Sequence, residues 1–151
     1  MSELDEVLAA LETAGDDVAL ATIVSVRGST YRREGARLVV PAEGPTVGNI
    51  SGGCLEGDVA DTAREVMASG RPQVKKFDLT ADDEAVWGWG LGCNGAIDVL
   101  VEPAADARPF VAAMRTAARK HRPVALVTVV DGPAIGTRLI VHPTGKTEGD
   151  L

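Results

Sequence analysis

Two cysteines stand in glycine-rich stretches of this chain, and both are placed where sulfur chemistry is feasible. Cys54 follows Ser51, Gly52 and Gly53 and opens an apolar-periodic segment, Leu55 to Ser69, that reads as a helix. Glycines without Cβ let backbone N–H groups converge on a ligand, and a helix N-terminus carries about half a positive charge, so such a turn favours an anion or a thiolate. A cysteine there has a lowered pKa and suits the roles of nucleophile, sulfur carrier or soft metal ligand. Cys54 is therefore the candidate catalytic residue, with Ser51, Gly52 and Gly53 as its companions in binding. The alternative is a small apolar residue packed behind a tight turn.

Cys93 lies in the run Trp87 to Gly95, with Gly92 and Asn94 on either side of it. Glycines expose backbone in this run, and Trp87 and Trp89 could wall a flat ring, although a loop that only turns is an equal reading. A third candidate is the loop from Arg27 to Gly35, with Gly28, Ser29, Thr30, Arg32 and Arg33, and Arg37 just beyond. Guanidinium groups and hydroxyls together suit phosphate; a solvated hairpin tip is the plainer alternative. No CxxC pair accompanies the cysteines, and His121 and His142 are remote in sequence, which argues against a structural zinc site. Asp78, Asp82, Asp83 and Glu84 lack the spacing of a calcium loop and read as a solvated linker.

The elements that must hold these residues follow from periodicity. Leu4, Val7, Leu8 and Leu11 mark an amphipathic opening helix with Ser2 as its N-cap and Gly15 as its stop. Val18 to Val26 and Ala36 to Val40 read as strands flanking the arginine loop, and Thr46 to Ile50 as a short extended piece running into the cysteine turn. The following helix stops at Gly70 before Pro72. Strands are expected at Val74 to Leu79 and Ala96 to Val101, and a helix over residues 106 to 121.

The end of the chain repeats its beginning. VALATIV at Val18 is echoed by VALVTVV at Val124, the run from Gly35 to Val40 by Gly136 to Val141, and Gly48, Asn49, Ile50 by Gly149, Asp150, Leu151. The expected fold is α+β, a mixed sheet of two similar strand-loop-strand units with packed helices, in one domain over residues 1–151. The second copy breaks off where the first enters its cysteine turn, so the second unit is expected to be incomplete, cut short or completed by another polypeptide.

With 45% apolar and 25% charged residues over 151 positions the composition is that of a globular domain. A net charge of −7 and the absence of a long basic run argue against nucleic acid. A polar, acidic N-terminus and only two cysteines lead to the expectation of a cytoplasmic protein with reduced thiols and no membrane span. No GxxxxGK[ST] run is present.

Three stretches, RGSTYRREGARLVV, GNISGGCLEGDV and WGLGCNGAIDVLVEP, taken in this order across about Val18 to Pro103, resemble the N-terminal domain of the XdhC/CoxI accessory proteins of xanthine dehydrogenase and carbon monoxide dehydrogenase. The resemblance implies binding of molybdenum cofactor, as molybdopterin or its dinucleotide, and support of its sulfuration and insertion into a molybdenum hydroxylase, a chaperone's role more than a catalyst's. It implies a hydroxylase apoenzyme as partner, with a cysteine desulfurase and a second copy of the chain as further candidates. Carried over by position, it makes Cys54 and Cys93 the molybdenum-contacting thiols and Gly28, Ser29 and Thr30 part of the cofactor site. Tyr31 stands where the family often has proline, and Asn94 where glycine is common. The C-terminal Rossmann domain of longer relatives has no counterpart in these residues. Two rival functions remain at this level: a thiol-dependent oxidoreductase or sulfurtransferase, and an interaction module with structural cysteines.

Overall fold

The computed structural model describes residues 1–79 and 94–151. Helix α1 (Glu3–Thr13) opens the chain under a reciprocal cap: the Ser2 hydroxyl accepts from the Asp5 N–H at 3.2 Å, and the Asp5 carboxylate accepts from the Ser2 N–H at 3.0 Å. The helix is left through an extended Ala14, one residue before the expected stop at Gly15.

Strands β1 (Val18–Ser29), β2 (Arg37–Pro41), β3 (Val47–Gly48), β4 (Gln73–Asp78) and β5 (Asn94–Pro103) form one sheet in the order β3-β2-β1-β5-β4. Alternation along β1 decides the layering, because successive side chains leave opposite faces of a strand. Ala19, Ala21 and Ile23 face helix α2 (Glu56–Ser69), where they pack with Val59, Ala63 and Val66. Val18 and Leu20 face α1 and helix α3 (Ala104–Arg119), where they pack with Leu8, Leu11 and Val111. Gly70 closes α2 in the left-handed region at φ 69°, as its position before Pro72 predicts.

The remaining strands, β6 (Ala125–Thr128), β7 (Arg138–Val141) and β8 (Thr147–Gly149), form a separate sheet in that order. Its registers reproduce those of the first unit. Ala19 pairs with Val40 and Ala125 with Val141; Thr22 pairs with Arg37 and Thr128 with Arg138; Leu38 pairs with Gly48 and Leu139 with Gly149. The loop closures match too, since the Gly35 N–H donates to the Ile23 carbonyl and the Gly136 N–H to the Val129 carbonyl, both at 2.9 Å. The repeat read from the sequence is thus a repeat of backbone.

The α+β class is as expected, but the sheets are not mixed: every described pairing is antiparallel, and the two units lie in different sheets. The reason lies in β5, which returns antiparallel along β1 from Ser29↔Asn94 to Ala19↔Pro103 and so occupies the edge a second unit would need. Among the described residues no helix is long and apolar enough to cross a membrane.

Candidate functional site

The turn before α2 is organised by a residue just beyond the Ser-Gly-Gly-Cys run. The Glu56 carboxylate accepts from the N–H groups of Ser51 at 3.0 Å, Gly53 at 2.9 Å and Ile50 at 3.4 Å, and from the Ser51 hydroxyl. The Ser51 oxygen in turn accepts from the Leu55 N–H at 2.8 Å, and Asn49 Oδ1 accepts from the Gly52 N–H at 2.8 Å. The donors expected to await an external anion are therefore held by the protein's own carboxylate, and an anion entering this turn has to displace it. Burial pushes the Glu56 carboxyl up, but the hydrogen bonds from the Ser51 hydroxyl and the backbone outweigh burial and hold it below its usual range. Cys54, half-buried, packs against the core under α2.

The arginine loop meets this turn through Tyr31. A Cβ at Gly52 would lie 3.0 Å from Cε1 and Cζ of the Tyr31 ring and press on it, and the φ of +71° favours glycine in its own right. Tyr31 nevertheless remains 61% exposed. The same loop meets the entry of β5: Gly28 is in register with Gly95 and Ser29 with Asn94. A Cβ at Gly95 would collide with the Arg27 and Ser29 carbonyls and the Thr30 methyl, which explains a glycine after Asn94. Three of the singled-out segments thus come to one rim, with Gly28, Ser29 and Thr30 between Asn94 on one side and Gly52 on the other. Cys93, Gly92, Trp87 and Trp89 lie outside the described residues.

Next to the rim is a cavity of about 500 Å³, lined by Ser2, Glu3, Leu4 and Val7 at the start of α1 and by the loop from Tyr31 to Arg37. The volume is within the range of small-molecule sites. Its arginines are not equivalent. Arg32 is spent on a bidentate pair with Glu3, both bonds at 2.8 Å, which ties the loop to α1 and holds the Glu3 carboxyl below its usual range. Arg33 is 70% exposed and its only described partner is the adjacent Glu34, at 3.6 Å. Arg37 donates to the Gly35 carbonyl at 2.9 Å; burial lowers the pKa of its guanidinium, nearby Arg138 lowers it further and Glu102 opposes both. The Thr30 hydroxyl donates to the Arg32 carbonyl at 2.7 Å and so shapes the loop. Among the described residues no cluster of His, Cys, Asp or Glu could hold a metal ion.

This arrangement sits within a stretch shared with known proteins. Residues 11–78, which contain the arginine loop, the cysteine turn and α2, match the model of the XdhC and CoxI family. Over this stretch the chain resembles that family. Its relatives include a protein of Bacillus subtilis named as a probable xanthine dehydrogenase subunit, 36% identical over 102 residues. They also include the molybdenum cofactor insertion chaperone PaoD of Escherichia coli, 32% identical over 113 residues. These alignments cover 68% and 75% of this chain, which spans about a third of the length of the curated relatives it matches, 31% and 34%. The whole chain also superimposes on 45% of a crystal structure of a xanthine dehydrogenase from Bacillus halodurans, with a TM-score of 0.81 at 30% identity.

Set beside the XdhC and CoxI motifs, the residues missed from the sequence are Glu56, Asn49 and Tyr31. A signal for the first was present: a carboxylate at the first position of a helix that follows a Ser-Gly-Gly turn is placed to collect the turn's N–H groups.

Proposed function

We propose that this chain binds molybdenum cofactor as cargo and supports its sulfuration and insertion into a molybdenum hydroxylase of the xanthine or carbon monoxide dehydrogenase kind. The observation that carries this reading is the meeting of the arginine loop, the Cys54 turn and the entry of β5 at one rim, through Tyr31 against Gly52 and Ser29 opposite Asn94. One relative is named for xanthine dehydrogenase and another for cofactor insertion, which supports the same cargo and the same class of recipient.

The groups present suit such a cargo. Its molybdenum and dithiolene sulfurs call for a soft ligand or a sulfur carrier, and Cys54 is the described thiol at the rim. Its phosphate calls for guanidinium groups, which Arg33 and Arg37 provide. Cys54, assisted by Cys93, contacts the molybdenum or relays sulfur to it, while the arginines hold the phosphate end. The recipient hydroxylase apoenzyme and a cysteine desulfurase are the protein partners this assigns.

Reconstitution tests it. A cofactor-free hydroxylase is incubated with isolated cofactor, with and without the protein, and recovered activity is followed with time. The reading predicts faster and more complete activation with wild-type protein than with Cys54→Ser. Equal activation with and without the protein would contradict it.

A further inference from the structure

Tyr31 is a large aromatic side chain left mostly in solvent, in a protein with a single tyrosine, beside a cavity that carries cationic groups. One part of its ring is fixed against Gly52 of the cysteine turn, and the residue lines the cavity together with Arg32, Arg33 and Arg37. An aromatic ring fixed at one edge and open elsewhere loses little freedom when a flat ligand stacks on it, and a guanidinium beside it takes the charged end of the same ligand.

We propose that Tyr31 is the platform on which the planar ring of the ligand stacks, with Arg33 and Arg37 receiving its phosphate. The ligand class is a fused heteroaromatic ring bearing a phosphate monoester, and for the cargo this rests on the cofactor reading above. The assignment makes the Gly52 contact functional: it links the ring platform to the turn that bears Cys54, so that ring and thiol engage opposite ends of one molecule.

The test uses the full chain with its one tyrosine labelled with 13C in the ring and neopterin monophosphate as the probe, followed by quenching of pterin fluorescence and by the tyrosine ring resonances. Stacking predicts saturable quenching with an upfield shift of the Tyr31 ring protons, absent with inorganic phosphate alone. Affinity should be retained in Tyr31→Phe and fall about tenfold in both Tyr31→Ala and Tyr31→Leu. The leucine variant keeps apolar bulk against Gly52 and removes the π face, so wild-type affinity in Tyr31→Leu would reduce the contact to packing and overturn the platform. Quenching without a ring shift would overturn it also, while leaving a pterin site elsewhere on the rim and the cofactor reading intact. No binding by the wild type would overturn both.

Discussion

Arg138 and Glu102 form a bidentate ion pair whose side chains are 8% and 1% exposed, and this pair fastens the second strand-loop-strand unit to the central sheet. Arg138 also lies over the Phe110 ring at 4.9 Å and donates to the Thr128 hydroxyl at 3.2 Å. Its counterpart in the first unit, Arg37, pairs in register with Thr22 as Arg138 does with Thr128, and its guanidinium feels the charges of both Arg138 and Glu102. Burial pushes the Glu102 carboxyl up, and the Arg138 guanidinium opposes that.

Breaking this pair from one side leaves a buried charge uncompensated. Glu102→Gln should therefore destabilise the protein by about 3–5 kcal/mol in denaturant unfolding, and the double variant Glu102→Leu with Arg138→Met should recover most of that loss. A double variant no more stable than the single would show that the pair itself, not the orphaned charge, holds the units together.

Gly48 and Gly149 occupy the same place in the two copies, at φ 99° and 105°, and a Cβ at either would collide with the carbonyl oxygen of Arg37 or Arg138. Alanine at each should cost about 1–3 kcal/mol, more at Gly48 because the Val7 side chain also lies 3.0 Å from the added carbon. Equal thermal stability of wild type and Gly149→Ala would show that the second unit does not hold this geometry in solution.

Glu56 ties the cysteine turn to pH. Its folded pKa lies below the unfolded one, so the stability it contributes is present above the usual carboxylate range and is lost as pH falls through the folded value. Glu56→Gln should lose about 1–2 kcal/mol at neutral pH, and the gap between wild type and variant should close on acidification. A gap that stays constant down to pH values below the carboxylate range would contradict the role assigned to its charge.

Among the described residues the Arg33 side chain pairs only with its neighbour Glu34, so its removal separates binding from folding. Arg33→Ala should change unfolding free energy by less than about 0.5 kcal/mol and weaken a pterin phosphate about tenfold, with a shallower dependence on salt. Unchanged affinity and salt dependence would remove Arg33 from the site.

Much of this was legible in the residues. The Gly-x-Arg-Leu-x-Val echo predicts the repeated register, because glycine and arginine occupy positions fixed by backbone closure and by pairing with threonine. Local period could not show that β5 would take the free edge of β1, since antiparallel partners as far apart as Ser29 and Asn94 or Ala19 and Pro103 leave no mark on either strand. Nor could it show that Glu102, at the end of an apolar run, is buried, because its partner Arg138 stands 36 residues further on. At the rim, the glycines and Cys54 announced a tight turn before a helix, but not its occupant. Glu56 is local, five residues from Ser51, and would have been found by asking where the turn's N–H groups go.

Anaerobic binding of isolated molybdenum cofactor to the wild type, Cys54→Ser and Cys93→Ser, read as molybdenum content and pterin fluorescence after gel filtration, bears most directly on the proposed cargo. The account predicts stoichiometric retention by the wild type and its loss in Cys54→Ser. No retention by the wild type, or equal retention by Cys54→Ser, would contradict it.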